Sequence, residues 1–335
     1  MPSSIHAQPD WRSATVVRCE DIASDIRLFD LRPSAPLEAY SPGGHIDILV
    51  PIKNETEIRS YSLVENAGHD GVYRIAVKHV PNSRGGSAYM WTLAVGDSVT
   101  IAPPDNFFPL SFACSEYLLI AGGIGITAIH GMALALAQAN KPFRLLYTAR
   151  SAEQLVFAES LKPILGDRLE TINNETGMLL DIASEIAKLG PEGELYMCGP
   201  LSLMDAVRDE WQRQGRPVWS LRYETFANGG RLESTPFSVS INNLGIEFDV
   251  PANQSLLEAM REHNVEALYD CERGECGLCA VDVLDAEGEV DHRDVFLSEQ
   301  QKARGRQMCA CVSRIHARDH HGGRVVIDTS RQGIA

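Results

Sequence analysis

Five of the chain's eight cysteines, Cys271, Cys276, Cys279, Cys309 and Cys311, fall within 41 residues near its C-terminal end. The chain opens on a polar stretch, Met1 to Arg12, with two prolines and no charged-then-apolar leader. Export is therefore not expected, and the compartment is read as the reducing cytoplasm. There, clustered thiols serve metal ligation rather than disulfides. Cys271-x4-Cys276-x2-Cys279 has the spacing of a plant-type 2Fe-2S loop, which needs a fourth cysteine far downstream. Zinc sites show two C-x2-C pairs instead. Gly274 and Gly277 allow backbone N–H groups to approach the sulfurs. For the fourth ligand, 29 residues separate Cys279 from Cys309 and 31 separate it from Cys311. A strand would point both to one face, so spacing leaves the choice open. His292 does not make a Rieske centre, which requires two histidines paired with cysteines.

At 335 residues the chain is expected to hold two or three domains. Its formal charge of −15 opposes nucleic acid and anionic membranes and suits a partner with a basic face. Tyr117 to Asn140 carries no charge for 24 residues, long enough to test as a membrane span. Gly122, Gly123, Gly125 and Gly131 lie inside it with Thr127, His130 and Gln138. A buried strand turning through glycines into a helix gives the same hydropathy.

The fold class follows from the order of patterns. Short β-rich runs (Ala14 to Cys19, Ile26 to Leu31, His45 to Val50, Val72 to Val80, Ser98 to Ala102) predict an antiparallel β-barrel over residues 1–108. Strands at Tyr117 to Ala121, Phe143 to Thr148, Arg168 to Ile172 and Glu194 to Cys198 alternate with helices, including Ile126 to Ala139 and Leu201 to Gln214. That alternation predicts an α/β parallel-sheet domain over 109–226. A polar linker, 227–236, leads to a hairpin at Phe237 to Val250 with Asn242-Asn243 at its turn, opening a third domain, 237–335. The chain is thus read as multidomain. Within its last domain, Asp285 to Glu289 reads as a polar, acidic turn in a segment of net charge −7, a plausible docking edge.

Two glycine segments carry nucleotide chemistry. Gly122-Gly123-Ile124-Gly125-Ile126-Thr127 follows a strand and opens a helix, and Cys198-Gly199-Pro200 does the same elsewhere in the sheet. N–H groups at such turns face a pyrophosphate. In the barrel, Arg59-Ser60-Tyr61-Ser62 offers a fork of donors, a flat ring and a small hydroxyl. Ser83-Arg84-Gly85-Gly86-Ser87, just before the predicted helix Ala88 to Leu93, offers backbone donors for a phosphate.

Tyr269-Asp270-Cys271-Glu272, Asp291-His292-Arg293-Asp294 and Cys311-Val312-Ser313-Arg314 resemble the ferredoxin domain, a β-grasp α+β fold, of the phthalate dioxygenase reductase family. The resemblance makes Cys311 the fourth ligand beside Cys271, Cys276 and Cys279, and Cys309 a buried neighbour. The two glycine segments resemble the nicotinamide domain of the ferredoxin–NADP reductase superfamily, with Ala128 where proline is usual. Arg59-Ser60-Tyr61-Ser62 matches that superfamily's flavin motif, in which the Arg pairs with phosphate, the Tyr packs on the ring and the Ser reaches N5. The resemblance also assigns Ala76, Val77, Lys78 and the Arg84 to Ser87 loop to the flavin, and Thr148, Arg150, Cys198, Gly199 and Pro200 to the nucleotide. Tyr223-Glu224-Thr225-Phe226 resembles the segment that returns to the flavin, with Phe226 at the ring and Glu224 near the nicotinamide. Ser62, Cys198 and Glu224 are the catalytic candidates. The domain order implies FMN rather than FAD, with NADH as donor, although Arg150 could meet a 2′-phosphate. The family implies a monomeric reductase that converts hydride into single electrons for a terminal Rieske-type oxygenase of an aromatic acid, an O-demethylase or a quaternary-amine monooxygenase. A reductase for a cytochrome P450, and a non-enzymatic iron–sulfur sensing module, are the alternatives.

Overall fold

The short apolar runs of the first hundred residues pair antiparallel, as their alternation requires. The structure is a computed structural model that describes residues 10–52, 55–64, 71–81, 85–226, 234–317 and 322–330. Six strands, β1 (Arg12–Ala23), β2 (Ile26–Pro33), β3 (His45–Ile52), β4 (Glu55–Ser62), β5 (Tyr73–Lys78) and β6 (Ser98–Ile101), form one sheet. Their order is β4-β3-β6-β1-β2-β5, and a bridge between Leu63 and Ile75 brings the outer strands together. Val16, Phe29, Ile46, Ile48 and Ile101 fill the interior. β4 was no part of the apolar pattern because it alternates charged and small residues around a half-exposed Ile58. It belongs as a strand all the same, paired along its whole length with β3. The helix α1 (Gly86–Thr92) starts two residues earlier than its apolar residues indicate.

Strands β7 (Tyr117–Gly122), β8 (Phe143–Ala149), β9 (Leu169–Asn173), β10 (Glu194–Cys198) and β11 (Leu221–Glu224) form a second sheet. They alternate with α2 (Ile126–Gln138), α3 (Ala158–Leu165), α4 (Ile182–Ala187) and α5 (Leu201–Arg213). All pairings are parallel, in the order β11-β10-β7-β8-β9. The chain direction of winding reverses between β7 and β10, and ligands bind at such switch points, beyond the carboxyl ends of the strands. Every residue of β7 is buried and α2 is buried on most of its surface, which accounts for the uncharged stretch without a membrane. Among the described residues no helix is long and apolar enough to cross one. Phe108 and Ile26 of the barrel side share one core with Ile126 and Met132, so both sheets belong to a single compact unit ending at Glu224.

The second unit begins at Thr225. It contains β12 (Phe237–Ile241), β13 (Ile246–Val250), α6 (Leu256–Glu262), β14 (Ala280–Glu287), β15 (Glu289–Asp291), α7 (Glu299–Arg304), β16 (Gln307–Cys309), β17 (Arg314–His316) and β18 (Gly323–Asp328). The main sheet runs β13-β12-β18-β14-β16, with β12 and β18 parallel and the other neighbours antiparallel. The expected hairpin at Phe237 to Val250 is present, its turn ending at Gly245 with φ 66°. Ser255 and Glu258 form a reciprocal cap on α6, satisfying two backbone donors that a helix start leaves open. The expected acidic turn Asp285 to Glu289 is corrected: Asp285, Ala286 and Glu287 are β14 residues paired with β18, and only Gly288 separates them from β15. Their carboxylates alternate along a strand with a bulge after Val283, a pattern that the local acidity hides.

Candidate functional site

The cysteine loop between α6 and β14 is shaped by backbone conformations that few side chains adopt. Glu272, Gly274 and Gly277 have φ of 49°, 77° and 75°. At Gly277 a Cβ would lie 2.3 Å from the Phe296 ring, so the position demands glycine on two counts. The folded-back loop aims three amides inward: Arg273, Glu275 and Cys276 N–H each donate to Cys271 Sγ at 3.4 Å. Cys271 and Cys276 thiols are hydrogen-bonded to each other, and Cys279 Sγ lies 3.1 Å from Cys311 Sγ. The hydrogen bond from Cys271 holds the Cys276 thiol down to about 6. Bonds from Cys309 and Cys311 lower Cys279 as well.

Cys271 thus pairs with Cys276, and Cys279 lies against both Cys309 and Cys311, a set that can give two cysteines to each of two irons with one thiol left beside them. Among the described residues no three donors converge as they would on one ion. Cys309 ends β16 opposite Ala280 and is fully buried, while Cys311 follows in a turn closed by Ser313 N–H to Cys309 carbonyl at 2.9 Å. The strand-face argument therefore does not apply to the two, because the strand stops between them.

Asp291-His292-Arg293-Asp294 and Cys311-Val312-Ser313-Arg314 pack on each other behind the loop. Arg293 pairs with Asp291 at 2.7 Å, and Ser313 Oγ donates to Asp294 Oδ1 at 3.1 Å. Arg314 donates to the carbonyls of Pro251, at 2.8 Å, and Thr235, at 3.0 Å. Burial alone would push the Asp294 carboxyl up, but His292 and the Leu297 amide hold it below the usual carboxylate range. His292 Nδ1 lies 3.5 Å from Asp294 Oδ1.

In the barrel, Arg59 on β4 lies across the start of α1. A Cβ at Gly86 would sit 2.8 Å from Arg59 Cγ and Nε, so the guanidinium and the Gly85-Gly86 backbone share one small space. Gly85 enters the helix with φ 105°. A donor fork against the Gly85-Gly86 backbone, with no side chain between, suits a phosphate. Arg59 is held by Glu57 at 2.5 Å and by the Ile58 carbonyl at 2.9 Å. Tyr61 precedes the buried Ser62, and burial pushes its phenol up. Ala76 and Val77 are buried on β5, and Lys78 pairs with Asp25 at 3.1 Å. Ser87 Oγ accepts from Val80 N–H at 3.3 Å. Ser83 and Arg84 lie outside the described residues.

At the switch point the two glycine segments meet. A Cβ at Gly199 would lie 3.0 Å from Gly122 Cα, and one at Gly125 would lie 2.3 Å from the Cys198 carbonyl oxygen. Gly123 has φ 53°, Ile124 follows it, and Thr127 Oγ1 donates to the Ile124 carbonyl at 2.9 Å, closing the turn. Pro200 caps α5. Cys198 and Glu224 are register partners at the ends of β10 and β11, and both are buried. Ser62, the third catalytic candidate, closes β4 opposite His45 in the same unit. Thr148 Oγ1 donates to Asn174 Oδ1 at 2.9 Å, and Arg150 carbonyl accepts from Glu175 N–H at 3.1 Å. Phe226 falls in the second unit and is 37% exposed. Sequence reasoning missed Asn174, and it missed Glu275, whose carboxylate accepts from Thr225 N–H at 3.0 Å. Asn174 lies in no motif, and Glu275 sits at an x position of the Cys271-x4-Cys276 loop, where the spacing fixes the cysteines and says nothing of the residues between them.

Comparison with known proteins bears on both units. Residues 13–108 match the oxidoreductase FAD-binding domain, and residues 239–316 match the 2Fe-2S iron-sulfur cluster binding domain. The chain is 36% identical to phthalate dioxygenase reductase of Burkholderia cepacia over 88% of its own length and 92% of that protein. A solved structure of a phthalate dioxygenase reductase superposes with a TM-score of 0.72 at 34% identity, covering 95% of this chain and 98% of the other. An intact type IV self-sufficient cytochrome P450 monooxygenase superposes with a TM-score of 0.65 at 33% identity, covering 95% of this chain but 41% of that one.

Proposed function

Because the chain belongs to the phthalate dioxygenase reductase family, we propose that it serves as the reductase component of a Rieske-type oxygenase system, acting on an aromatic ring or an O-methyl group through its oxygenase. It is an NADH-dependent flavin and iron–sulfur oxidoreductase, with FMN and one 2Fe-2S cluster. When bound, NADH supplies a hydride, and FMN with the cluster turns that electron pair into single electrons.

The chain's own residues supply placement and electrostatics. Arg59 and the Gly85-Gly86 amides hold the flavin phosphate, Tyr61 packs against the ring and Ser62 offers its hydroxyl on the N5 side. Gly122 to Thr127 and Cys198 to Pro200 take the dinucleotide at the switch point, with Thr148 and Arg150 at its far end. Buried Cys198 and Glu224 exclude water beside the nicotinamide. Cys271, Cys276, Cys279 and Cys311 hold the irons, and the three amides on Cys271 Sγ neutralise part of the charge.

The observation that carries this reading is the gathering of Cys271 with Cys276, and of Cys279 with Cys309 and Cys311, in a chain whose other unit joins a donor fork to a glycine phosphate cradle. A cytochrome P450 partner has the structural match above in its favour. The oxygenase reading is preferred because phthalate dioxygenase reductase matches over nearly its whole length and the cytochrome chain over less than half. The encounter with the oxygenase is brief, the chain works as a monomer, and it resides in the cytoplasm. Anaerobic mixing with NADH tests the function: visible absorbance of flavin and cluster bleaches together, and added Rieske oxygenase restores the cluster bands. Failure to bleach refutes the reductase. Recovery with a cytochrome P450 and not with a Rieske oxygenase reassigns the partner.

A further inference from the structure

The chain enters its second unit at Thr225, directly after Glu224, and that first residue is bonded to the cysteine loop. Thr225 N–H donates to Glu275 Oε1 at 3.0 Å. Its hydroxyl lies 3.1 Å from the Arg273 carbonyl, to which it donates, and 3.3 Å from Glu275 Oε1. Arg273 and Glu275 are two of the three residues whose amides bond Cys271 Sγ, each at 3.4 Å. Thr225 is buried, at 1% exposure, so water does not compete for these bonds. A long amide–sulfur bond is sensitive to small rotations of its peptide plane. The Thr225 hydroxyl fixes the Arg273 carbonyl, and with it the Arg273–Gly274 peptide that lies between the two donating peptides, while the Thr225 amide fixes the Glu275 side chain; both bonds thereby limit the backbone rotation at Arg273 and Glu275 on which the two donor planes depend.

We infer that Thr225 and Glu275 are positioning residues that aim the loop amides at Cys271 Sγ and so set the reduction potential of the cluster. Amide donors to a ligand sulfur favour the reduced cluster, which carries one more negative charge. The Glu275 carboxylate acts in the opposite sense, adding a negative charge beside the loop. The two residues therefore hold the loop together while pulling the potential in opposite directions. The inference rests on the 2Fe-2S reading.

The test uses full-length holoprotein. Iron and acid-labile sulfide assays and the electron paramagnetic resonance signal of the reduced wild type first establish the cluster, and their failure sinks that reading rather than this one. Dye-mediated titration followed by the same resonance signal then gives the potential of each variant. Thr225→Val removes the hydroxyl at nearly constant volume and charge. It is expected to keep the cluster and lower the reduced-to-oxidised ratio at a fixed poise about threefold, as for a hydrogen bond of modest net worth, or about 28 mV at 59 mV per tenfold for one electron. Thr225→Ser restores the wild-type value. Glu275→Gln keeps an oxygen for the Thr225 amide and removes the charge, so its potential moves the other way. Unchanged potentials in Thr225→Val and Glu275→Gln overturn the inference. So does loss of cluster occupancy while the remaining clusters keep the wild-type potential, since that is what a purely structural contact would give.

Discussion

The cysteine loop and the candidate flavin cradle would each hold a charged cofactor on backbone N–H groups, yet they are built on opposite plans. In the loop, donors and acceptor are neighbours in sequence: the amides of Arg273, Glu275 and Cys276 reach Cys271 Sγ from within five residues. In the cradle, Arg59 on β4 meets Gly86 at the start of α1, and at the switch point Gly122 meets Gly199 from different strands. A local site is dictated by spacing and by glycines that permit left-handed backbone. A dispersed site depends on two elements arriving together, and it tolerates local change provided the approach is preserved. Ala128, where the resemblance to the ferredoxin–NADP reductase superfamily leads one to expect proline, is buried in α2 at 1% exposure, and the turn before it is closed by Thr127.

The largest effect should come from the local site. Cys311→Ser is expected to abolish cluster absorbance and the resonance signal, while Cys309→Ser largely retains both, and NADH reduces the flavin in either variant. Loss of the cluster in Cys309→Ser instead would reverse the ligand assignment between the two thiols that lie against Cys279.

Next in size is the cradle. Gly86→Val forces side-chain atoms into the space that Arg59 occupies, with overpacking that costs about 1 to 3 kcal/mol. FMN affinity is expected to fall by a factor of ten or more with iron and sulfide content unchanged, measured by flavin release and fluorescence titration. If Gly86→Val binds FMN normally, the cradle is not where the phosphate sits.

A smaller effect concerns acid. The folded Asp294 carboxyl lies below its unfolded value near 3.9. A depressed carboxylate contributes stability above the unfolded value and loses it as pH falls through the folded one. The second unit should therefore lose stability as pH drops below about 4, and Asp294→Asn should flatten that slope in urea titrations of the whole chain. A slope unchanged by Asp294→Asn would locate the acid sensitivity elsewhere.

The smallest effect is at the partner. The −7 charge of residues 237–335 predicts that electron transfer to the oxygenase slows severalfold as salt rises beyond about 0.1 M, where the screening length is roughly 10 Å. Reduction of the flavin by NADH should change much less. Since Asp285 and Glu287 lie on β14 and not in a turn, Asp285→Asn with Glu287→Gln distinguishes a strand-borne docking edge from diffuse charge. Stopped-flow traces that are flat with salt would leave these carboxylates no part in docking.

Both glycine segments and the Cys271-x4-Cys276-x2-Cys279 loop were legible because each is a statement about neighbours in sequence, whereas Cys311 as fourth ligand came from the resemblance, and the expected three domains meet two compact units in the structure. Strand-to-helix glycines at 122–127 and 198–200 mark a sheet's carboxyl ends, and x4 and x2 spacings mark a thiol loop. β4 was not legible as a strand, because its stability comes from pairing with β3 rather than from its own alternation. Asp285 to Glu287 misled for the converse reason: acidic residues resemble a turn until β18 supplies partners.

By itself the sequence offered the chemistry of each candidate site: thiols suited to iron, a guanidinium and glycines suited to phosphate, and glycine turns at strand ends suited to a dinucleotide. These follow from residue type and short spacing, which survive any packing that keeps the backbone local. Tertiary structure alone decided that Cys279 lies against both Cys309 and Cys311, that β16 stops between those two, that Arg59 shares its space with Gly86, that Cys198 and Glu224 are buried register partners, and that Thr225 reaches back to Glu275. Each of these joins residues between two and fifty positions apart through hydrogen bonds and van der Waals contact. Their energies exist only once strands and loops have been brought within a few ångströms of one another, and no pattern in the chain encodes that distance.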